Sequence, residues 1–189
     1  KGEILVHTHA SLISPGTERM VVNFAKKNIV SKARARPDLV KKILNKAKTD
    51  GIRSTISAVM AKLDNPIPLG YSATGTVISV GAELEGSFRI GQRVAIAGAG
   101  VANHAEINAV PGNLAAPIPE DVTDDEAAFG TVASIALHSV RNLDLKIGEV
   151  VAIFGAGIIG QIASQLFNLA GVRTIVLDYD QTRLDLVKK

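Results

Sequence analysis

The chain has 189 residues, 47% of them hydrophobic and 21% charged, and contains no cysteine. That is enough apolar material for one sizeable core or two small ones, and it excludes a disulfide framework and a thiolate zinc site. The formal charge of +3 is uneven: residues 24–53 hold ten Lys or Arg against Asp38 and Asp50, leaving eleven basic and sixteen acidic residues elsewhere, which argues against a general nucleic-acid binder. Apolar stretches such as Val150 to Phe154 are broken well before the roughly 20 residues of a bilayer span. The first residues, KGEILVHTH, read as a strand, not as a basic run leading into an apolar one. No membrane segment or secretory leader is expected, and the compartment reads as cytoplasmic.

Residues Glu3 to Leu12 alternate loosely and are β-branched, which predicts a strand closed by the turn chemistry of Ser14, Pro15 and Gly16. From Thr17 to about Leu63 the spacing becomes helical, with apolar stripes at Leu39, Val40, Ile43, Leu44 and Ala47 and at Ile52, Ile56, Val59, Met60 and Leu63, separated by Gly51. After Pro66 and Pro68 come the short strands ATGTVISVG, GQRVAIA and HAEINAV, bounded by glycine, proline or asparagine, the pattern of a small antiparallel barrel. Thr123 and Glu126 form a capping box ahead of a long apolar helix, AAFGTVASIALHSV. Then follow the strand VVAIF, a glycine loop, the helix IIGQIASQLFNLA stopped by Gly171, the strand TIVLD, and a further helix from Thr182.

The loop is Gly155, Ala156, Gly157, Ile158, Ile159, Gly160, directly after a strand and opening a helix. The first glycine permits the tight turn, the second lets the backbone approach a pyrophosphate, and the third lets helix and strand pack closely. Free amides and the positive helix end then favour phosphate. Asp178 stands eighteen residues past Gly160, at the end of the next strand, where a carboxylate accepts from the hydroxyls of an adenosine ribose and repels a 2′-phosphate. NAD is therefore expected in preference to NADP. The plainer alternative is a glycine-rich turn with Asp178 capping the next helix.

The order and spacing of SLISPGTE, LGYSATGTVISVG, GQRVAIA, HAEINAVPGNLAAPIPEDVTDDEAAF, ALHSVRNLDLKIGEVVAIFGAGIIGQIA and LDYDQTRLDL resemble the medium-chain dehydrogenase/reductase superfamily, which includes zinc alcohol, sorbitol and threonine dehydrogenases. The resemblance implies α/β plus β architecture: a GroES-like antiparallel β-barrel catalytic domain over 1–122, carrying a basic helical insertion at 23–63, then a truncated Rossmann (parallel doubly wound) NAD-binding domain over 123–189. It also implies an enzyme moving hydride between NAD and an alcohol or carbonyl substrate, a sugar or nucleotide sugar among the options.

The departures from that superfamily fall on its zinc ligands. Pro15 stands where zinc members carry a cysteine, Tyr71 and Ser72 where they carry His and Glu, and Thr131 near the third ligand. No zinc and no other metal is expected. In its place the resemblance points to Tyr71 as acid or electrostatic stabiliser, Thr17 as a second hydroxyl matching the superfamily's proton relay, and Glu18 to orient or deprotonate one of them. Tyr71 as mere filling of the vacated volume stays open. Arg183 matches a basic position near the adenosine ribose. His7 and His9 read as a solvated strand pair, His138 as a packing residue and His104 as a surface residue.

The insertion resembles that of zinc-less oxidoreductases of polysaccharide biosynthesis, in which a second oxidoreductase unit is fused behind. Its lysines and arginines could draw in an anionic substrate or form a solvated face. One strand, one helix, a second strand and part of a helix are too little for a Rossmann sheet to bury both faces, so exposed apolar sheet surface is expected, and a chain of these residues alone is expected to be inactive. A small-molecule substrate is the expected partner, with a homodimer left open. The rival readings are a quinone-oxidoreductase-like NADPH enzyme and a noncatalytic NAD-binding or scaffold module.

Overall fold

The computed structural model describes residues 2–26, 68–146 and 148–188. The helical stripes expected between Leu39 and Leu63, and nearly all of the basic insertion, lie outside the described residues. The described residues up to 12 and from 71 onward form one compact unit, and those of 13–26 and 68–70 belong to another.

In the larger unit, β1 (Glu3–Ser11), β2 (Ser72–Val80), β3 (Arg93–Ala97), β4 (Ile107–Pro111) and β5 (Ala115–Pro117) build one antiparallel sheet in the order β4-β1-β2-β3-β5. Period-two alternation decides its inside: Ile4, Val6, Ala73, Val77, Val94, Ile96 and Val110 point to one core and are at most 2% exposed. This is the GroES-like half-barrel. Register slips between Leu5 and Val6 and between Thr8 and Ala10 mark bulges in β1 opposite β2. HAEINAV is a strand only from Ile107 onward, because the backbone of 103–106 folds back on itself, with Ala105 N donating to Asn103 O.

The second layer begins at α2 (Asp124–Ala127), whose Thr123–Glu126 capping box forms as expected. The single helix expected next is two: the chain breaks at Ala128 and Phe129 before α3 (Gly130–Asn142). The break brings the Ala128 carbonyl to the buried Ser72 hydroxyl, which donates to it at 2.6 Å. Strands β6 (Val150–Phe154) and β7 (Arg173–Leu177) pair in parallel and flank α4 (Ile158–Leu169), and α5 (Gln181–Val187) follows. Ala136 of α3 and Ala163 and Phe167 of α4 are buried together with Val151 and Ile153 of β6 against them, giving a second core. The fold is therefore a half-barrel followed by the first parallel strands of a Rossmann sheet.

Only one face of the β6–β7 pair is covered. Val150, Phe154, Ile175 and Leu177 are exposed, Phe154 to 84%, which is the bare apolar surface expected of so few parallel strands. Among the described residues no helix is long and apolar enough to cross a membrane.

In the smaller unit, α1 (Pro15–Lys26) starts where a turn was expected. Proline at the first helical position has no amide to leave unpaired and has φ already set for the helix, so Ser14-Pro15 opens a helix instead of ending a strand.

Within the half-barrel, Gly75 of β2 passes directly under β1, and a methyl group there would overlap the carbonyl of His7. Gly75→Ala is expected to cost at least about 2 kcal/mol in urea unfolding, because backbone and not a flexible side chain would have to give way. Gly86→Ala, with open space around it, is expected to stay within about 0.5 kcal/mol of the parent.

Candidate functional site

The glycine loop has the geometry its residue types require. Gly155 leaves β6 with φ of +103°, a left-handed conformation that disfavours any side chain, and its amide donates to the Leu177 carbonyl at 2.7 Å. Gly160 sits so close to that turn that a Cβ would collide with the Gly155 carbonyl. Gly157 is the N-cap of α4 with no side chain capping the helix, and a Cβ there would meet nothing within 4 Å. The first-turn amides at Gly157, Ile158 and Ile159 therefore border open space at the positive end of a 12-residue helix.

Asp178 closes the other side of the loop. Its Oδ2 accepts from the Ala156 amide at 2.7 Å and its Oδ1 from the Asp180 amide at 2.9 Å. Donation from the Asp180 backbone first and the Ala156 backbone second, helped by the nearby charge of Arg183, holds this carboxyl below its ordinary range. Arg183 lies 3.9 Å from Asp178 and 3.4 Å from Asp180. Helix α5 is capped by Asp180, which accepts from the Thr182 amide, and not by Asp178. The loop glycines, Ile158, Ile159, Asp178 and Arg183 thus gather at one strand–helix junction. Asp180 was missed in the sequence, although its place two residues before Thr182 is an N-cap signal.

Tyr71, Thr17 and Glu18 are divided between the two units. Tyr71 immediately precedes β2, and its carbonyl accepts from the Gly98 amide at 2.9 Å and the Thr131 hydroxyl at 3.4 Å. The Ser72 hydroxyl also accepts from the Thr131 amide at 3.3 Å. Thr17 and Glu18 belong to the smaller unit, where Ser14 donates its amide to Glu18 at 3.2 Å and its hydroxyl to Thr17 at 3.4 Å across the first turn of α1. His104 is exposed and bonded to the Ser11 hydroxyl at 2.9 Å, at the same strand ends as Tyr71. His138 is exposed and bonded to Asn142, not packed: its neighbours Ala136 and Val140 take the inward positions of α3.

No family model matches the chain. The L-threonine 3-dehydrogenase of Marinomonas sp. (strain MWYL1) is 32% identical in an alignment 151 positions long that covers 66% of this chain and 44% of that enzyme. Among solved structures, Escherichia coli quinone oxidoreductase complexed with NADPH aligns over 99% of this chain and 47% of its own at 18% identity, with a TM-score of 0.66. Galactitol-1-phosphate dehydrogenase from the same organism aligns over 99% and 51% at 19% identity, with a TM-score of 0.67. These likenesses support a relationship to the medium-chain dehydrogenase/reductase superfamily over part of each relative's length. It spans less than half the length of the curated relatives it matches.

Of the positions that the superfamily resemblance assigns to zinc ligands, Ser72 and Thr131 meet in space, each hydroxyl donating to a backbone carbonyl. Ser72, Thr131 and the adjoining Tyr71 offer no imidazole, thiolate or carboxylate, and this donor set does not fit zinc. Among the described residues no group of three or more His, Asp or Glu is placed to hold a metal ion. His7 and His9 do share a strand face, their rings 5.8 Å apart, but both nitrogens of His9 have partners: Asp124 at 3.1 Å and Thr76 at 3.2 Å.

That histidine belongs to a node fixing α2 onto the half-barrel. Asp124 also takes Arg93 at 3.2 Å, Arg93 donates to the Val122 carbonyl at 2.7 Å, and Thr74 donates to the Asp124 carbonyl at 3.2 Å. Partial burial pushes the Asp124 carboxyl up, but hydrogen bonds from His9 and Arg93 and their charges outweigh this and leave it lowered. A depressed folded-state value means that the stabilisation is present above the ordinary value of 3.8 and is lost as pH falls through the folded value. Since all three side chains are partly exposed, Asp124→Asn is expected to cost about 1 kcal/mol or less at pH 7. In denaturant titrations that difference should fade below about pH 4, and a penalty that persists undiminished to pH 2 would contradict the assignment.

Proposed function

We propose that the chain serves an NAD-linked oxidoreductase that works without catalytic zinc on an alcohol or carbonyl substrate, with sugars and nucleotide sugars in range. The observation that carries this reading is the junction of amides and carboxylate at Gly155–Gly160 and Asp178: a glycine cradle at an uncapped helix start, bordered by an anionic acceptor. A dinucleotide's pyrophosphate suits the Gly157, Ile158 and Ile159 amides, while Asp178 suits ribose hydroxyls and disfavours a 2′-phosphate.

A bound nicotinamide supplies the hydride acceptor or donor; the chain's own residues supply position and proton. Tyr71, at the barrel end where Ser72 and Thr131 are tied to the backbone, is the hydroxyl we assign to the substrate oxygen, donating a hydrogen bond as charge develops there. Thr17 is the second candidate for moving that proton, with Glu18 to orient it. The hydroxyls that replace the zinc-ligand set support the zinc-independent reading.

One observation favours a second reading: E. coli quinone oxidoreductase, a structural neighbour, was solved with NADPH. Fluorescence titration of the complete protein with NADH and NADPH separates the two, and tighter NADH binding is expected. In steady-state assays with aldehydes and keto-sugars, Tyr71→Phe should lower kcat at least about a hundredfold with NADH affinity retained. Unchanged turnover would remove Tyr71 from the chemistry, and absence of turnover in the parent alongside intact NADH binding would favour a noncatalytic module.

A further inference from the structure

Arg183 is held between two carboxylates, and they hold it unequally. Its Nε lies 3.4 Å from Asp180 Oδ2, whereas its nearest approach to Asp178 is 3.9 Å. Asp180 is itself fixed at three points: its Oδ1 accepts from the Thr182 amide at 2.9 Å, its own amide donates to Asp178 at 2.9 Å, and its carbonyl accepts from Leu184 N at 3.2 Å. The two anions around one guanidinium leave a net negative charge at the end of β7, beside the Ala156 amide that Asp178 receives.

An arginine here is the group that would accommodate a 2′-phosphate, since the guanidinium fork matches phosphate geometry. It is paired with Asp180 at 3.4 Å, which offsets its charge. We propose that Asp180 is the positioning residue that sets cofactor preference, by holding Arg183 away from the position of a 2′-phosphate and adding a second negative charge there. The proposal rests on the reading that this loop binds a nicotinamide dinucleotide. In this reading Asp178 excludes the 2′-phosphate directly, whereas Asp180 acts through Arg183.

The test uses the complete protein, with dissociation constants for NADH and NADPH measured by fluorescence and calorimetry. Asp180→Asn keeps a good N-cap and the side-chain size while removing the charge. It should raise the NADPH-to-NADH affinity ratio roughly fivefold to tenfold at low salt, the scale of one partly exposed charge pair. Asp180→Ser, a second capping residue, should do the same and guards against a folding defect peculiar to asparagine. Asp180→Glu should keep the parental ratio. Adding Arg183→Ala to Asp180→Asn should abolish the gain, and about 0.5 M salt should erase most of it. A ratio within twofold of the parent in both capping variants, or a gain that survives without Arg183, overturns the proposal while leaving dinucleotide binding intact. A parent protein that binds neither nucleotide overturns the proposal together with the reading beneath it.

Discussion

The structure depends on one close approach: helix α4 begins so near the end of β6 that residue 160 has no room for a side chain against the Gly155 carbonyl. That contact puts the helix start immediately beyond the strand, with the backbone turned at Gly155 through a conformation only glycine adopts at low cost. The first helical turn then carries amides without intrahelical partners or a side-chain cap, beside open space at Gly157. Asp178 secures the arrangement from the neighbouring parallel strand by taking the Ala156 amide, so the anionic acceptor and the amide cradle are positioned by the same bond. Packing and the placement of the loop's donors are thus one constraint, because loosening the helix–strand contact would move every donor in the loop.

The half-barrel is joined to this layer by hydrogen bonds as well as by burial. His9, Asp124 and Arg93 fix the start of α2, and Ser72 takes the end of the same short helix through the Ala128 carbonyl. Thr131 then returns to Tyr71 and Ser72 from the first turn of α3. Buried hydroxyls require partners, and here the backbone supplies them. This polar linkage ties the backbone at Tyr71 to the first turn of α3.

Much of this was legible before any coordinates. Short runs bounded by glycine, proline or asparagine identify the strands RVAIA and INAVP, and the glycine spacing with Asp178 eighteen residues on locates a tight strand–helix turn bordered by a carboxylate, because both patterns follow from local geometry. The capping box at Thr123 was readable for the same reason. What escaped were features set by tertiary contacts: the break at Ala128 and Phe129, made where the Ser72 hydroxyl takes a carbonyl from the helix; the three-residue strand β5, too short to show a period; and the exposure of His138 on a helix whose apolar side is turned the other way. Ser14-Pro15 was misread because proline opens a helix as readily as it ends a strand, and only the partners of Ser14 decide between them. The pairing of Arg183 with Asp180 was out of reach, since side-chain choice between two nearby carboxylates leaves no trace in spacing.

The central claim is that the amides around Gly157 receive a dinucleotide's diphosphate. The most direct measurement is an amide nitrogen–proton NMR titration of the complete, deuterated protein with NADH. The account predicts that the largest shifts fall on Gly157, Ile158, Ile159 and Gly160, with Asp178 and its neighbours next. Shifts confined to other surfaces, or none at saturating NADH, would contradict it.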